Sequence, residues 1–153
     1  MPFALRSSAF RDGATIPTAY TRDGQNISPP MEWQGAPPQT RSFVLVVEDP
    51  DAPSGTFRHW AVYDIGPATD GLPEGASSTW AGEIGQGVNG FRHAHYDGPQ
   101  PPRGDRPHHY HFRLAALDVP SLDVRKNAKA EDIWEAARPH IIAETELVGI
   151  YRR

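Results

Sequence analysis

Residues 42–53 read SFVLVVEDPDAP. From Ser42 to Glu48 the chain is apolar on both alternations of an extended backbone, which predicts a strand buried on both faces, in the interior of a sheet. Asp49-Pro50-Asp51-Ala52-Pro53 then ends it, because two prolines in five residues remove the donors a ladder needs. Downstream, His59 precedes a second predicted strand, Trp60 to Ile65. A third runs from His108 to Asp118 and is patterned with period two. His108, Tyr110, Phe112, Leu114 and Ala116 share one face. His109, His111 and Arg113 share the other, which reads as solvated. Short extended pieces are expected around Phe3 to Phe10 and from Leu147 to Tyr151.

Between these strands lie connections. Residues 1–40 are rich in turn formers, with Asp12-Gly13, Asp23-Gly24 and Pro29-Pro30. Residues 66–90 read as a long ordered surface connection and residues 91–107 as an irregular loop. One helix is predicted over 130–144, where Ile133, Trp134, Ala137, Ile141 and Ile142 recur at helical spacing. Pro139 interrupts it, so a break or kink is expected near Arg138. No boundary between domains is visible, and residues 1–153 read as a single domain.

The composition agrees with a turn-rich, all-β fold. The 16 prolines and 14 glycines follow no fixed period, which excludes collagen and solenoids. A net charge of -4 offers nothing to a phosphodiester backbone, so no nucleic-acid partner is expected. The chain has no cysteine, which removes disulfides, thiol nucleophiles and thiolate-bound zinc. The longest apolar run, Phe43 to Val47, is far short of the ~20 residues that span a bilayer. The opening MPFALRSSAF lacks the apolar stretch of a signal peptide, so a cytoplasmic location is expected.

Five of the seven histidines fall between positions 93 and 111. With Asp49, Asp51 and His59 they form the main polar concentration, and three chemistries compete for it. His93-x-His95 and His109-x-His111 have the spacing of strand-borne metal ligands. There is no HExxH and spacing places no third ligand, so these read as exposed histidines and no metal site or cofactor is expected. A Ser-His-Asp triad finds no GxSxG elbow, and Ser28 and Ser54 sit in turns. No catalytic residue is therefore assigned. The third chemistry is an anion pocket. Asp49 ends one strand while His59 and His108 begin two others, so neighbouring strands would gather all three at one end of a sheet. An Asp beside a His fixes the tautomer and raises the imidazole pKa. His59 or His108 could then donate to an anion, with Tyr110 adding a hydroxyl. On spacing alone, Asp49 as a turn residue, His59 as a packed ring and Tyr110 as a core aromatic are equally allowed.

The same residues carry a resemblance. DPDAP at 49–53 with HW at 59–60 resembles the first signature of the phosphatidylethanolamine-binding protein family. GPQPPRGDRPHHYHF at 98–112, leading to Ala-Leu-Asp at 116–118, resembles the second. IPTAYTRDGQNISPPMEW (16–33) and AETELVGIYRR (143–153) are similar to the bacterial and archaeal branch, the Raf-kinase-inhibitor-like proteins. The likeness runs from about Phe10 to the last residue. It implies a β-sandwich of antiparallel sheets with one or two peripheral helices. It also implies a non-enzymatic binding protein whose pocket takes phosphate-like or carboxylate groups. Carried over residue by residue, the pocket is Asp49, His59, His108 and Tyr110, with Asp51, Ala52, Pro101 and Pro102 at its rim. Relatives that inhibit kinases or proteases imply an alternative role as a regulator of a protein partner through the loop 91–107. A metal-dependent hydrolase is a weaker alternative, and a homodimer is an expectation of the resemblance alone. Two departures stand out: His109 replaces the family's usual Arg between His and Tyr, and Pro139 interrupts a helix that relatives leave unbroken.

Overall fold

The double-sided apolarity of residues 42–48 is explained by three stacked layers. In the computed structural model, which describes residues 1–153, the chain forms β1 (Ala4–Arg6), β2 (Met31–Gln34), β3 (Ser42–Asp49), β4 (Phe57–Ile65), β5 (Gly71–Leu72), α1 (Ala76–Thr79), β6 (Gly85–Gln86), β7 (His108–Leu117), α2 (Ala130–Ala137) and β8 (Ile141–Tyr151). Five strands make one antiparallel sheet in the order β6-β4-β3-β7-β8, with β3 at its centre. The other sheet is β1-β2-β5, also antiparallel.

One face of β3 (Phe43, Leu45, Val47) joins Trp60, Val62, Phe112 and Leu114 in a core shared with Leu5, Met31, Trp33 and Leu72 of the small sheet. The opposite face (Val44, Val46), with Ala61, Ala115 and Leu117, is covered by Ala130, Ile133, Trp134 and Ala137 of α2. Fully burying a side chain such as Phe43 or Phe112 contributes about 1.5–3 kcal/mol. The sandwich is therefore held by the very strands that read most clearly in the sequence.

The structure corrects several boundaries. β4 begins at Phe57, three residues ahead of Trp60. β2 emerges from the turn-rich first 40 residues because Met31 and Trp33 face the core while Glu32 and Gln34 face out. Residues 66–90 carry β5, α1 and β6 rather than bare connection. α2 ends at Ala137, and a single 3-10 turn, Arg138–His140, follows it. Pro139 supplies no amide for a further helical turn, so the chain breaks there instead of kinking. Ile141 and Ile142 thus belong to β8, which spans Ile141–Tyr151 rather than only its last five residues. The outer face of β7 is mixed. His109 is exposed, His111 and Arg113 are half-buried, and Ala115 and Leu117 lie under α2.

Candidate ligand-binding site

The end of β3, the start of β4 and the start of β7 meet at one end of the large sheet. One irregularity there decides which way His59 points. Val47 pairs with Trp60 but Glu48 pairs with Arg58, so His59 is an extra residue in β4, a β-bulge. Strict alternation would send His59 to the helix side, opposite Trp60. The bulge lets both rings face the sandwich, where His59 lies edge-on to Tyr110 at 5.3 Å between ring centres.

A cavity of about 180 Å³ results. Asp49, Ala52, His59, Pro101, Pro102, His108 and Tyr110 line it, together with Pro53, Phe57, Phe91 and Gln100. Seven of the eight residues anticipated from sequence are thus gathered. Asp51 is outside the lining. It accepts hydrogen bonds from the backbone amide and Nδ1 of His109, both at 2.8 Å, and from Arg106. His109 therefore hydrogen-bonds to the Asp-Pro-Asp turn from the place where an Arg was expected. Burial raises the Asp51 pKa, but these contacts outweigh it and hold the carboxyl below its ordinary value.

The two histidines differ in charge state. His108 is 1% exposed; its Nδ1 lies 2.6 Å from Asp49 Oδ2 and its Nε2 2.8 Å from Asp105 Oδ2. Carboxylates only accept, so both nitrogens donate and the ring is an imidazolium. Burial by itself would lower its pKa, but the bonds to Asp105 and Asp49 overcome that and raise it. His59 is also buried, and burial, outweighing the nearby carbonyl and carboxylates, lowers its pKa. Its Nδ1 is 2.9 Å from the Asp97 carbonyl, which can only accept. The neutral ring therefore holds its proton on Nδ1 and leaves Nε2 as an acceptor, so of the two histidines expected as possible donors it is His108 that fills that role.

Tyr110 completes the set. Its hydroxyl is buried without a hydrogen-bond partner. Burial, and then the charge of Asp49, push its pKa upward, so it stays a phenol with a proton to donate. Phe57 and Phe91 wall the His59 side at 4.9 and 5.9 Å between ring centres.

Sequence reasoning missed Asp105, Phe57, Phe91, Pro53 and Gln100. Phe57 had a signal, since it stands two residues before His59 on the same strand. Asp105 had a weaker one, three residues ahead of His108 in the loop from which only Pro101 and Pro102 were expected at the pocket.

Comparison with known proteins bears on the family and the fold. Residues 6–152 match the family described as phosphatidylethanolamine-binding protein. The chain belongs to the phosphatidylethanolamine-binding protein family. A UPF0098 protein of Methanothermobacter thermautotrophicus is 43% identical over 153 residues, covering 97% of this chain and 98% of the relative. The crystal structure of YbcL from E. coli, titled a new member of the mammalian PEBP family, superposes with a TM-score of 0.94 at 31% identity, covering 100% of this chain and 99% of YbcL. A phosphatidylethanolamine-binding protein homolog from Chlamydia trachomatis gives 0.89 at 38% identity, covering 99% of this chain and 98% of that one. No helix in this family member is long and apolar enough to cross a membrane.

Proposed function

We propose that this protein binds a small anionic group, phosphate-like or carboxylate, in the cavity between His59, His108 and Tyr110, and that it acts by binding rather than turnover. Asp105 supports this most directly. Its carboxylate, half-exposed on a loop, already sits on Nε2 of the buried imidazolium. A ligand anion that displaces it meets the same donor, with the Tyr110 hydroxyl free beside it. A singly protonated phosphate satisfies all three groups, accepting from His108 and Tyr110 and donating to His59 Nε2. The cavity is below the roughly 300–1,000 Å³ of drug-sized sites, so it suits a head group and not a long chain. Its lining holds no serine, threonine, cysteine or lysine to act as a nucleophile.

Titration with inorganic phosphate, followed through the imidazole nitrogens by NMR, tests the reading. His108 and His59 should shift with one common midpoint. Asp105→Asn should move that midpoint about tenfold lower, because it weakens an internal competitor for the same donor. Silence of both rings at millimolar phosphate, in the parent and in Asp105→Asn, would overturn it.

A further inference from the structure

Outside the cavity, the loop 89–97 brings together a second set of donors. His93-x-His95 lacked a third ligand in the sequence, and the fold supplies one. One donor atom from each of His93, His95 and Asp97 lies within 4.8 Å of the others. His93 Nδ1 is 2.7 Å and His95 Nδ1 3.7 Å from the same Asp97 Oδ2. The two rings stack at 4.7 Å and 25°. His95 Nδ1 also donates to the Tyr96 carbonyl at 3.0 Å, so an ion on that nitrogen takes the place of this bond as well. We infer that His93, His95 and Asp97 form a binding site for a divalent transition ion of the zinc class, separate from the anion cavity.

The geometry fits. Tetrahedral bonds of ~2.0–2.2 Å place donor atoms roughly 3.3–3.6 Å apart. The observed 2.7 and 3.7 Å fall on either side of that range. The imidazoles are 45% and 52% exposed and free to adjust by a fraction of an ångström, whereas Asp97 is 3% exposed and fixed. The ion takes the place of the proton shared between His93 and Asp97. Asp97 is oriented in advance by two amides: Asn89 Nδ2 donates to Oδ2 at 2.8 Å and Asn26 Nδ2 to Oδ1 at 3.0 Å. Arg22 approaches Oδ1 at 3.7 Å and stacks on Phe91, so it leaves Oδ2 to the ion. Two neutral imidazoles and one carboxylate suit Zn²⁺, Cu²⁺ or Ni²⁺ far better than Mg²⁺ or Ca²⁺. His95 also lines a polar cleft of about 490 Å³ beside Asn26, Ser77 and Gln86, which leaves room for a water as fourth ligand. The cleft and the anion cavity share no lining residue.

Zinc binding to tag-free, chelator-stripped protein tests this by calorimetry, with Co²⁺ absorption as a reporter of tetrahedral geometry. One ion per chain with an affinity on the order of micromolar is expected. His93→Ala and His95→Ala, both surface changes, should each weaken it at least about tenfold. The double change His109→Ala/His111→Ala should leave it intact, since those two rings address different carboxylates, Asp51 and Glu146. Zinc binding that survives His93→Ala and His95→Ala, or no binding below millimolar zinc, would overturn the assignment.

Discussion

Asp105 and Asp49 hold the same imidazole, yet the two contacts differ in kind. Asp49 is buried with His108 and is part of the folded end of β3. Losing it would strand a buried cation, a change that typically costs about 3–5 kcal/mol. Asp105 comes from a loop and is itself half-exposed, and in the proposed reading it is the contact that a bound anion displaces. Tyr110 offers a cleaner separation of stability from binding. Its buried hydroxyl has no partner, and an unsatisfied buried group costs about 1–3 kcal/mol. Tyr110→Phe should therefore leave the urea midpoint unchanged or raise it, while weakening phosphate binding severalfold. A loss of stability beyond about 1 kcal/mol would mean that the hydroxyl is engaged in the free protein.

Strand ends beside prolines brought Asp49 and His108 into view at this scale, but spacing alone left pocket and packed core equal for His59 and Tyr110, and only the family resemblance chose the pocket. Charge states were not legible. Which nitrogen of His59 carries the proton depends on the Asp97 carbonyl, 38 residues along the chain, and no local pattern records that. The spacing of Asp105 from His108 was only a weak signal for a related reason, since a loop aspartate looks alike whether it meets solvent or a buried ring.

At the scale of elements, β3 and β7 were readable because burial on two faces or one imposes its own period on the sequence. β2 was not, since four residues are too few to display an alternation among prolines. The bulge at His59 also escaped, because an inserted residue leaves the residue types unchanged and alters only their direction. The loop 89–98 that supports His59 is pinned at Gly98. There a Cβ would overlap the backbone of Tyr20 and Thr21, which cannot yield as a side chain would. Gly98→Ala is expected to cost about 1–3 kcal/mol in chemical denaturation and to shift the His59 resonances. Unchanged stability would show that this loop is not held by its contact with the 3-10 turn at Thr18–Tyr20.

For the whole molecule, the two buried histidines set opposing limbs of a stability–pH curve. The folded pKa of His108 is raised above 6.5, so its contribution is complete below that value and is lost as pH rises through the folded pKa. That of His59 is lowered, so its contribution is present above 6.5 and is lost as pH falls toward the folded pKa. The lowered carboxyl of Asp97 adds to the acid limb, because its contribution exists above 3.8 and fades below. Burial raises that carboxyl, but bonds from Asn89, His93 and Asn26 prevail. Stability should therefore peak near pH 6.5 in urea titrations, and His108→Gln should flatten the alkaline limb alone. An alkaline limb that persists in that variant would assign the effect to another group.

A crystal grown at pH 6 and soaked in phosphate probes the cavity most directly. The expected result is an ion within hydrogen-bond distance of His108 Nε2 and the Tyr110 hydroxyl, with the Asp105 carboxylate swung out of its place. Asp105 still seated on His108, with no ion in the cavity at saturating phosphate, would contradict the account.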